Sequence, residues 1–362
     1  MVYQRINSRR NKIMDAYLTN VLEQPSELKK VWAYLLGEGR KTTEQIAGIF
    51  KGADHIVLTS MGSAYNSLMP MYYELLGKKK NVTLIETSEL LHDEALLDAR
   101  AVYVVMSRSG ESREVYDLSC LLRDRNCMLV GITMNQESML AKNSTVTLHD
   151  IASYDACICL KAYSSMALCG LACVSMMDPA WVEGEACHKV LAMLEWMEEH
   201  KGDILEQAGE IQILKEAHSC IFLSRLYGMG TAKAASLWLE EIAFISGGVC
   251  VLDSFYHGPI RSIYNSELAS NIIVPVYFDV LPDQRSGKIW SEIAEAARSS
   301  IYIGKEKSGA RHDFPYPFWN IGAYNCIGLS LFAQIIPYQC CIKKGYVPGR
   351  SLRIAKDRWV VK

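Results

Sequence analysis

Apolar runs alternate with amphipathic segments along most of the first half of the chain. Three segments have apolar residues at helical spacing, near Ala64–Leu76, Glu111–Arg125 and Ala162–Met177. Nearly continuous apolar strands that alternate with helices predict a parallel sheet covered by helices on both faces. The β-rich runs that predict the strands are His55–Met61, Val82–Glu86, Ala101–Met106, Met128–Met134 and Thr145–His149.

The second half repeats this pattern after a break at Asp178-Pro179 and a charged, helical stretch from Trp181 to Ala217. Its predicted helices are Lys233–Phe244, Lys288–Ala297 and the long apolar run Asn320–Ile342. The predicted strands are Ile221–Ser224, Cys250–Leu252, Ile272–Phe278 and Ser300–Gly304. We therefore predict an N-terminal helical arm (1–34), an α/β domain (35–178), a helical linker (179–217), a second α/β domain (218–343) and a C-terminal tail (344–362).

Composition narrows the class of protein. The 362 residues are enough for two domain cores, and half of them are apolar, which excludes intrinsic disorder. The 38 basic and 40 acidic residues give a net charge of −2, so no nucleic-acid or membrane partner is expected. Because the polar segment Met1–Lys12 resembles no secretory signal, we expect a cytoplasmic protein with reduced thiols. Ala162–Met177 is shorter than the roughly 20 residues that span a bilayer, and we expect it to be a buried helix.

The segment that follows the predicted strand Ala101–Met106 has the composition of an anion site. It reads Ser107-Arg108-Ser109-Gly110-Glu111-Ser112 and leads into a predicted helix. Free backbone N–H groups and the positive end of the helix dipole meet at such a junction, where serine hydroxyls can converge on one phosphate. We expect Gly110 to allow close approach of the backbone and Glu111 to lie in the first helical turn. The alternative is an ordinary serine N-cap, which needs only one hydroxyl.

A second strand-to-helix junction, Ser60-Met61-Gly62-Ser63-Ala64, could meet the first at the same edge of the sheet. Ser63 would then donate to the same phosphate. Tyr227-Gly228-Met229-Gly230 suggests a dinucleotide loop, but Lys233 stands where a third glycine is needed, so NAD is not predicted.

Two short pairs of metal-binding residue types occur, at Cys187-His188 and at His218-x-Cys220. Both lack further ligands at suitable spacing. We therefore predict neither a metal nor a cofactor.

Four motifs together resemble those of a known family. The serine-rich loop from Ser107 to Ser112 is similar to the Ser-x-Ser-Gly-Glu-Thr/Ser loop of sugar isomerase (SIS) domains. Glu241-Ile242 and His257-Gly258-Pro259 are similar, in type and in their sixteen-residue separation, to the Lys-Glu-Ile and His-Gly-Pro motifs of the isomerase half of glucosamine-6-phosphate synthase. Lys161-Ala162-Tyr163-Ser164 resembles its Lys-Ala-Phe-Thr helix start, and Ile354-Ala355-Lys356 resembles its terminal Leu-Ala-Lys.

The resemblance implies two SIS domains of flavodoxin-like, three-layer α/β architecture, usually assembled as a homodimer with the site between domains and subunits. By position, the residues implied to bind the phosphate of a sugar are Ser63, Ser107, Arg108, Ser109 and Ser112. Glu241 would move a proton between C1 and C2, and His257 would open the sugar ring or act as a general acid. Lys356 would reach the site from the C-terminal tail, and Lys161 remains an open candidate.

Departures from the synthase pattern shape the functional hypothesis. Residue 1 leads directly into this module, so we expect no glutaminase domain and no glutamine-fed synthesis. Trp238 replaces the lysine three residues before the glutamate, and Ala64 replaces a phosphate-binding serine. We therefore predict a deglycase or deaminase that acts on a 6-phosphorylated fructosamine or amino sugar. The alternatives are a plain aldose–ketose isomerase and a regulator that binds phosphosugars without chemistry.

Overall fold

A computed structural model of the chain describes residues 2–264, 271–305 and 308–349, with side chains from residue 16 onward. The helices are α1 (Val2–Leu36), α2 (Arg40–Gly52), α3 (Gly62–Gly77), α4 (Thr87–His92), α5 (Arg113–Asp124), α6 (Met139–Asn143), α7 (Lys161–Ser175), α8 (Glu185–Gly209), α9 (Gly228–Ala243), α10 (Leu252–Tyr256), α11 (Arg261–Tyr264), α12 (Gln284–Ala296) and α13 (Asn325–Lys343). The strands are β1 (Ile56–Ser60), β2 (Val82–Glu86), β3 (Val102–Ser107), β4 (Met128–Thr133), β5 (Val146–His149), β6 (Ser219–Ser224), β7 (Ser246–Val251), β8 (Ile273–Phe278), β9 (Ile301–Gly304) and β10 (His312–Pro315).

The strands form two five-stranded sheets with the same topology. The first has the order β2-β1-β3-β4-β5, and the second has the order β10-β9-β8-β6-β7, which is the same arrangement read from the other edge. All pairings within them are parallel. Every residue of β1 and β3 is buried, as the continuous apolar runs predict for central strands. The α/β architecture predicted from the sequence is therefore confirmed, whereas the residue boundaries of the domains stay a prediction.

Two apolar helices form the middle of the protein. All 15 residues of α7 are buried, and α13 is buried over nearly its whole length. The segment Gly322–Lys343, which contains α13, is long and apolar enough to cross a membrane, but 94% of its most apolar window is buried inside the protein. Helices that are apolar on all sides are typical of a core that other elements cover completely.

A buried polar junction joins α1, α7 and α13. The Gln24 amide donates to Ser330 Oγ at 3.1 Å, and its oxygen accepts from Ser164 Oγ at 2.8 Å and from the Gln334 amide at 2.6 Å. Since buried amides need partners, these bonds fix the register of three helices that belong to distant parts of the chain.

Helix α9 of the second half packs directly on α3 of the first half. A Cβ atom at Gly230 would lie only 2.6 Å from the carbonyl oxygen of Asn66, so the contact requires glycine. Glu241 lies near the C-terminal end of α9. The α3–α9 contact therefore sets where this carboxylate stands relative to the first sheet.

Candidate functional site

The candidate site begins at the loop that follows β3. Gly110 has φ of +66°, a conformation that favours glycine, and a Cβ atom there would collide with Ser138 Oγ. Ser107 Oγ accepts from the Gly110 N–H at 3.0 Å, and Ser109 Oγ accepts from the Glu111 N–H at 3.2 Å. The loop is thus held in a compact turn against the carboxyl end of the sheet.

The junction between this loop and α5 differs from the prediction in one respect. Ser112 is the N-cap of α5, and its side chain makes no capping hydrogen bond. Glu111 therefore lies before the helix, so its predicted place in the first turn was wrong. Its carboxylate instead accepts from the Met139 N–H at 2.8 Å, at the start of α6. This bond takes the Glu111 carboxylate away from the N-terminus of α5, where Glu114 is the acidic residue of the first turn. The N–H groups that precede Glu114 still favour an anion.

The second predicted junction starts at the neighbouring strand. Strands β1 and β3 pair directly, and Ser60 Oγ donates to the Met106 carbonyl at 2.5 Å, just where the two strands end. Ser63 lies in the first turn of α3. Its hydroxyl is buried and has no hydrogen-bond partner within the described residues. A buried hydroxyl without a partner is costly, and it suits a group that bonds to a ligand.

Arg108 is fixed at the centre of the loop by a residue that the sequence analysis did not single out. The Tyr154 hydroxyl donates to the Arg108 carbonyl at 3.0 Å, and the Arg108 guanidinium lies 5.8 Å from the centre of the Tyr154 ring. Asn135 supports the next peptide by donating to the Ser109 carbonyl at 3.3 Å. Both the backbone and the charge of Arg108 are therefore positioned by contacts with other segments.

Glu241 has the electrostatic properties of a proton-transfer group. Glu241 is an exposed residue, yet desolvation by the surrounding protein atoms raises the pKa of its carboxyl to about 7. Arg108 acts in the opposite direction and lowers the pKa, while Glu240 adds to the increase. The carboxyl of α9 and the cation of the β3 loop therefore lie within electrostatic reach of each other.

The segment between Asp150 and Lys161 forms another wall of this region. Asp155 accepts hydrogen bonds from three backbone N–H groups at the start of α7, at 2.9–3.1 Å. The Trp238 indole donates to the Cys159 carbonyl at 2.9 Å, and Cys159 lies within electrostatic reach of Arg108 and Glu241. Trp238, which stands where the synthase pattern has lysine, thus anchors this wall.

Comparison with known proteins identifies the first of the two units. A sequence model of the SIS domain matches residues 49–176, which hold the first sheet, both serine-containing junctions and Tyr154. Residues 49–176 are a SIS domain. The second sheet repeats the strand order of this domain, so the chain carries the SIS fold twice.

Relatives of known structure or name extend the similarity over most of the chain. A glutamine–fructose-6-phosphate aminotransferase (isomerizing) from Pyrococcus horikoshii is 22% identical over 350 residues, which cover 94% of this chain and 57% of the relative. The C-terminal domain of a glucosamine-fructose-6-phosphate aminotransferase from Francisella tularensis superposes with a TM-score of 0.76 at 17% identity, covering 91% of this chain and 96% of that one. A glucosamine-6-phosphate deaminase from Thermotoga maritima gives 0.74 at 20% identity, covering 92% and 96%. The chain thus spans little more than half the length of the first relative.

His257 lines a cavity formed by residues of the second half of the chain. It is exposed and lines a cavity of about 320 Å³, whose other described lining residues are Asp253, Tyr256, Arg285, Lys288, Ile289 and Glu292. All of these belong to the second half, and neither Glu241 nor the β3 loop is among them. The predicted pairing of His257 with Glu241 therefore stays a prediction.

Of the two candidate lysines, Lys161 has partners of its own and Lys356 lies outside the described residues. Lys161 is buried, and its ammonium donates to Ser153 Oγ at 2.7 Å and pairs with Glu23 at 3.1 Å. The Ser153 N–H in turn donates to Glu27 at 2.7 Å. Lys161 therefore ties α1 to the wall of the site, and this structural role accounts for its burial.

Proposed function

We propose that this protein is an enzyme that removes the amine from a 6-phosphorylated fructosamine or amino sugar. The observation that carries the proposal is the carboxyl of Glu241, with a pKa near neutrality, within electrostatic reach of Arg108 in a phosphate-type loop. A carboxyl of this kind is suited to taking up and releasing a proton at neutral pH.

In the proposed complex, the sugar phosphate lies at the N-terminus of α5. Ser107, Ser109, Ser112 and Ser63 supply hydroxyls, the first backbone N–H groups of the helix supply donors, and Arg108 supplies positive charge. Binding of the remote phosphate holds the reacting carbons in place and thereby converts binding energy into orientation.

The chemistry needs one base, one acid and one water molecule. With a fructosamine 6-phosphate, Glu241 removes a proton from C1 to give an enolamine, and the proton is returned to C2. The C1–N bond becomes an imine, to which water adds, and breaking of the C–N bond releases the amine and leaves an aldose 6-phosphate. One water is consumed for each amine released, and no oxidant or reductant is required.

His257 takes part in this scheme as the acid that serves the sugar oxygen. Because it lines a different cavity of the same chain, we propose that a partner copy supplies it, in keeping with a homodimer. Lys356 is proposed to reach the site from the C-terminal tail. A cytoplasmic setting remains a prediction.

The test is an assay of amine release from fructosamine 6-phosphates and from glucosamine 6-phosphate, with wild type and two neighbouring variants. Glu241→Gln should lower kcat by about 10²–10⁴-fold because the base is lost. Glu240→Gln is the matched control, since that carboxylate accepts from the Gly247 N–H at 3.1 Å on an exposed surface, and it should retain near-normal turnover. Full activity of Glu241→Gln would remove the mechanism.

A plain aldose–ketose isomerase is the second candidate, because the same base and loop suffice when no nitrogen is present. Interconversion of ketose and aldose 6-phosphates without any release of amine would support the isomerase. Binding of these sugars with no turnover by wild type would instead make the protein a phosphosugar-binding regulator.

A further inference from the structure

The second sheet has a cavity at the same topological position as the SIS-domain loop. Both sheets share one strand order, and β8 occupies the place in the second sheet that β3 occupies in the first. A cavity of about 430 Å³ lies beside the end of β8, between β9 and α12, a size typical of small-molecule sites. The carboxyl edge of a parallel sheet is also where such folds bind ligands.

This edge of the second sheet carries carboxylates, whereas the corresponding edge of the first sheet carries hydroxyl groups and a glycine. Where β3 leads into serines and Gly110, β8 leads into Asp279, Pro282 and Asp283. Asp283 is the N-cap of α12, and its carboxylate accepts from the Ser286 N–H at 2.9 Å and from Ser286 Oγ at 2.6 Å. The chain's own carboxylate therefore occupies the helix N-terminus, where a phosphate would otherwise bind.

The floor of the cavity is a carboxylate with a fixed orientation. Asp279 is 6% exposed, and it accepts from the Tyr302 hydroxyl at 2.7 Å, the Tyr277 hydroxyl at 3.2 Å and the Leu281 N–H at 3.3 Å. An ionised carboxylate can accept about four hydrogen bonds, so these three leave room for one more donor. Because Asp279 lines the cavity, a ligand bound there can supply that donor.

The rim carries a charge of the opposite sign. Lys305 lines the cavity and is exposed, and it forms no ion pair with another described residue. Gln284, Ser291 and Ser308 add neutral polar groups around the opening. A ligand that satisfies this arrangement has an ammonium group for the floor and a carboxylate for the rim.

We propose that this cavity, lined by Asp279, Asp283, Tyr302 and Lys305, binds a free amino acid. The ammonium group lies against Asp279, and the carboxylate pairs with Lys305. Asp283 already forms an ion pair with Arg225 at 3.0 Å. A phosphate at the floor is disfavoured because it would face the carboxylate of Asp279. The site is separate from the serine loop, so its occupancy does not depend on the function proposed for that loop.

Isothermal titration calorimetry of the full chain with single amino acids tests the proposal, with inorganic phosphate and sorbitol as comparison probes. At least one amino acid should bind with a millimolar or lower Kd, whereas the two comparison probes should not compete with it. The proposal would be overturned if no amino acid bound at a concentration about ten times a millimolar Kd. It would also be overturned if sorbitol bound as tightly as the amino acids.

Two charge reversals localise the binding. Lys305→Glu should weaken amino-acid binding about tenfold or more, since it places a third carboxylate at the cavity. Lys288→Glu is the matched control, because it makes the same change in net charge beside the His257 cavity, and it should bind as wild type does. Equal affinity of Lys305→Glu and wild type would place the amino acid elsewhere and overturn the assignment, whatever the catalytic assays give.

Discussion

The hydroxyl of Tyr154 donates to the carbonyl of Arg108 at 3.0 Å, while the ring of the same tyrosine lies against the Arg108 guanidinium. One side chain therefore holds both the backbone and the charge at the centre of the loop. The two residues are 46 positions apart, so the contact depends on how the wall segment returns to the sheet edge. Arg108 in turn acts on the pKa of Glu241, which links Tyr154 to the proposed base.

Substitution of Tyr154 should affect substrate binding more than turnover. Tyr154→Phe keeps the ring and loses the bond to the carbonyl, so KM for a phosphosugar should rise by about three- to tenfold. Tyr154→Ala also loses the cation–π contact and should raise KM further. Steady-state kinetics of the two variants check this, and a change confined to kcat would contradict the positioning role.

Removal of the Arg108 charge should move the acid limb of the pH profile. Arg108 lowers the Glu241 pKa against the effect of burial, so Arg108→Gln should raise that pKa above about 7. A smaller fraction of the base is then ionised at a given pH, and the fall in kcat/KM on acidification should begin at higher pH, with about two- to tenfold less relative activity at pH 6.5.

The control for this profile is Arg113→Gln. Arg113 pairs with Asp117 at 2.7 Å on the exposed face of α5, one residue beyond the loop. Its loss removes the same charge without touching Glu241, so the acid limb should stay in place. A shift of equal size in both variants would mean that net charge alone moves the profile.

Ser63 and Ser67 offer a matched pair on the same helix. Ser63 Oγ is buried without a described partner, so Ser63→Ala should leave the free energy of unfolding unchanged or raise it by up to about 1 kcal/mol. If the hydroxyl bonds the phosphate, KM should rise about tenfold. Ser67 Oγ instead donates to the Ala64 carbonyl at 2.7 Å, and Ser67→Ala should leave KM as it is. Normal KM in both variants would remove Ser63 from the phosphate site.

Asp155 should be important for stability because it holds the start of α7. Asp155→Ala leaves three N–H groups near the protein core without their acceptor, and we expect a loss of about 2–3 kcal/mol in urea unfolding. Asp178→Ala removes a comparable but exposed cap, since among the described residues Asp178 accepts only from the Ala180 N–H, and it should cost less than about 1 kcal/mol. Equal losses of stability in the two variants would show that burial of a cap does not determine how much it stabilises the protein.

The sheets were predictable because their central strands are buried on both faces. Val82–Glu86 was predicted with the observed bounds, and most other predicted strands differ from the observed ones by one or two residues. The prediction for β7 covered only Cys250–Leu252, because Gly247 and Gly248 interrupt the apolar run. Strand β10, His312–Pro315, was missed, since a short edge strand pairs on one side only and keeps polar residues.

The candidate site was predictable only where its chemistry is local in the sequence. The loop from Ser107 to Ser112 is contiguous, and the motif alone indicates a phosphate site. Tyr154, by contrast, reaches Arg108 through the tertiary fold, and no periodicity marks it. Glu111 was misplaced because a carboxylate at a helix start is expected to favour its own helix, whereas here it caps the neighbouring one.

The close contact between Gly230 and the Asn66 carbonyl means that a substitution far from the proposed site can still alter it. The serine loop belongs to the first half of the chain and the carboxyl of Glu241 to the second. The distance between them therefore depends on the α3–α9 contact, which includes neither group. Reactions that depend on aligned atoms lose rate steeply when a group is displaced by about 1 Å. A single methyl group added at Gly230 would therefore push the two halves apart and lower the rate of reaction, although this position does not contact the proposed substrate.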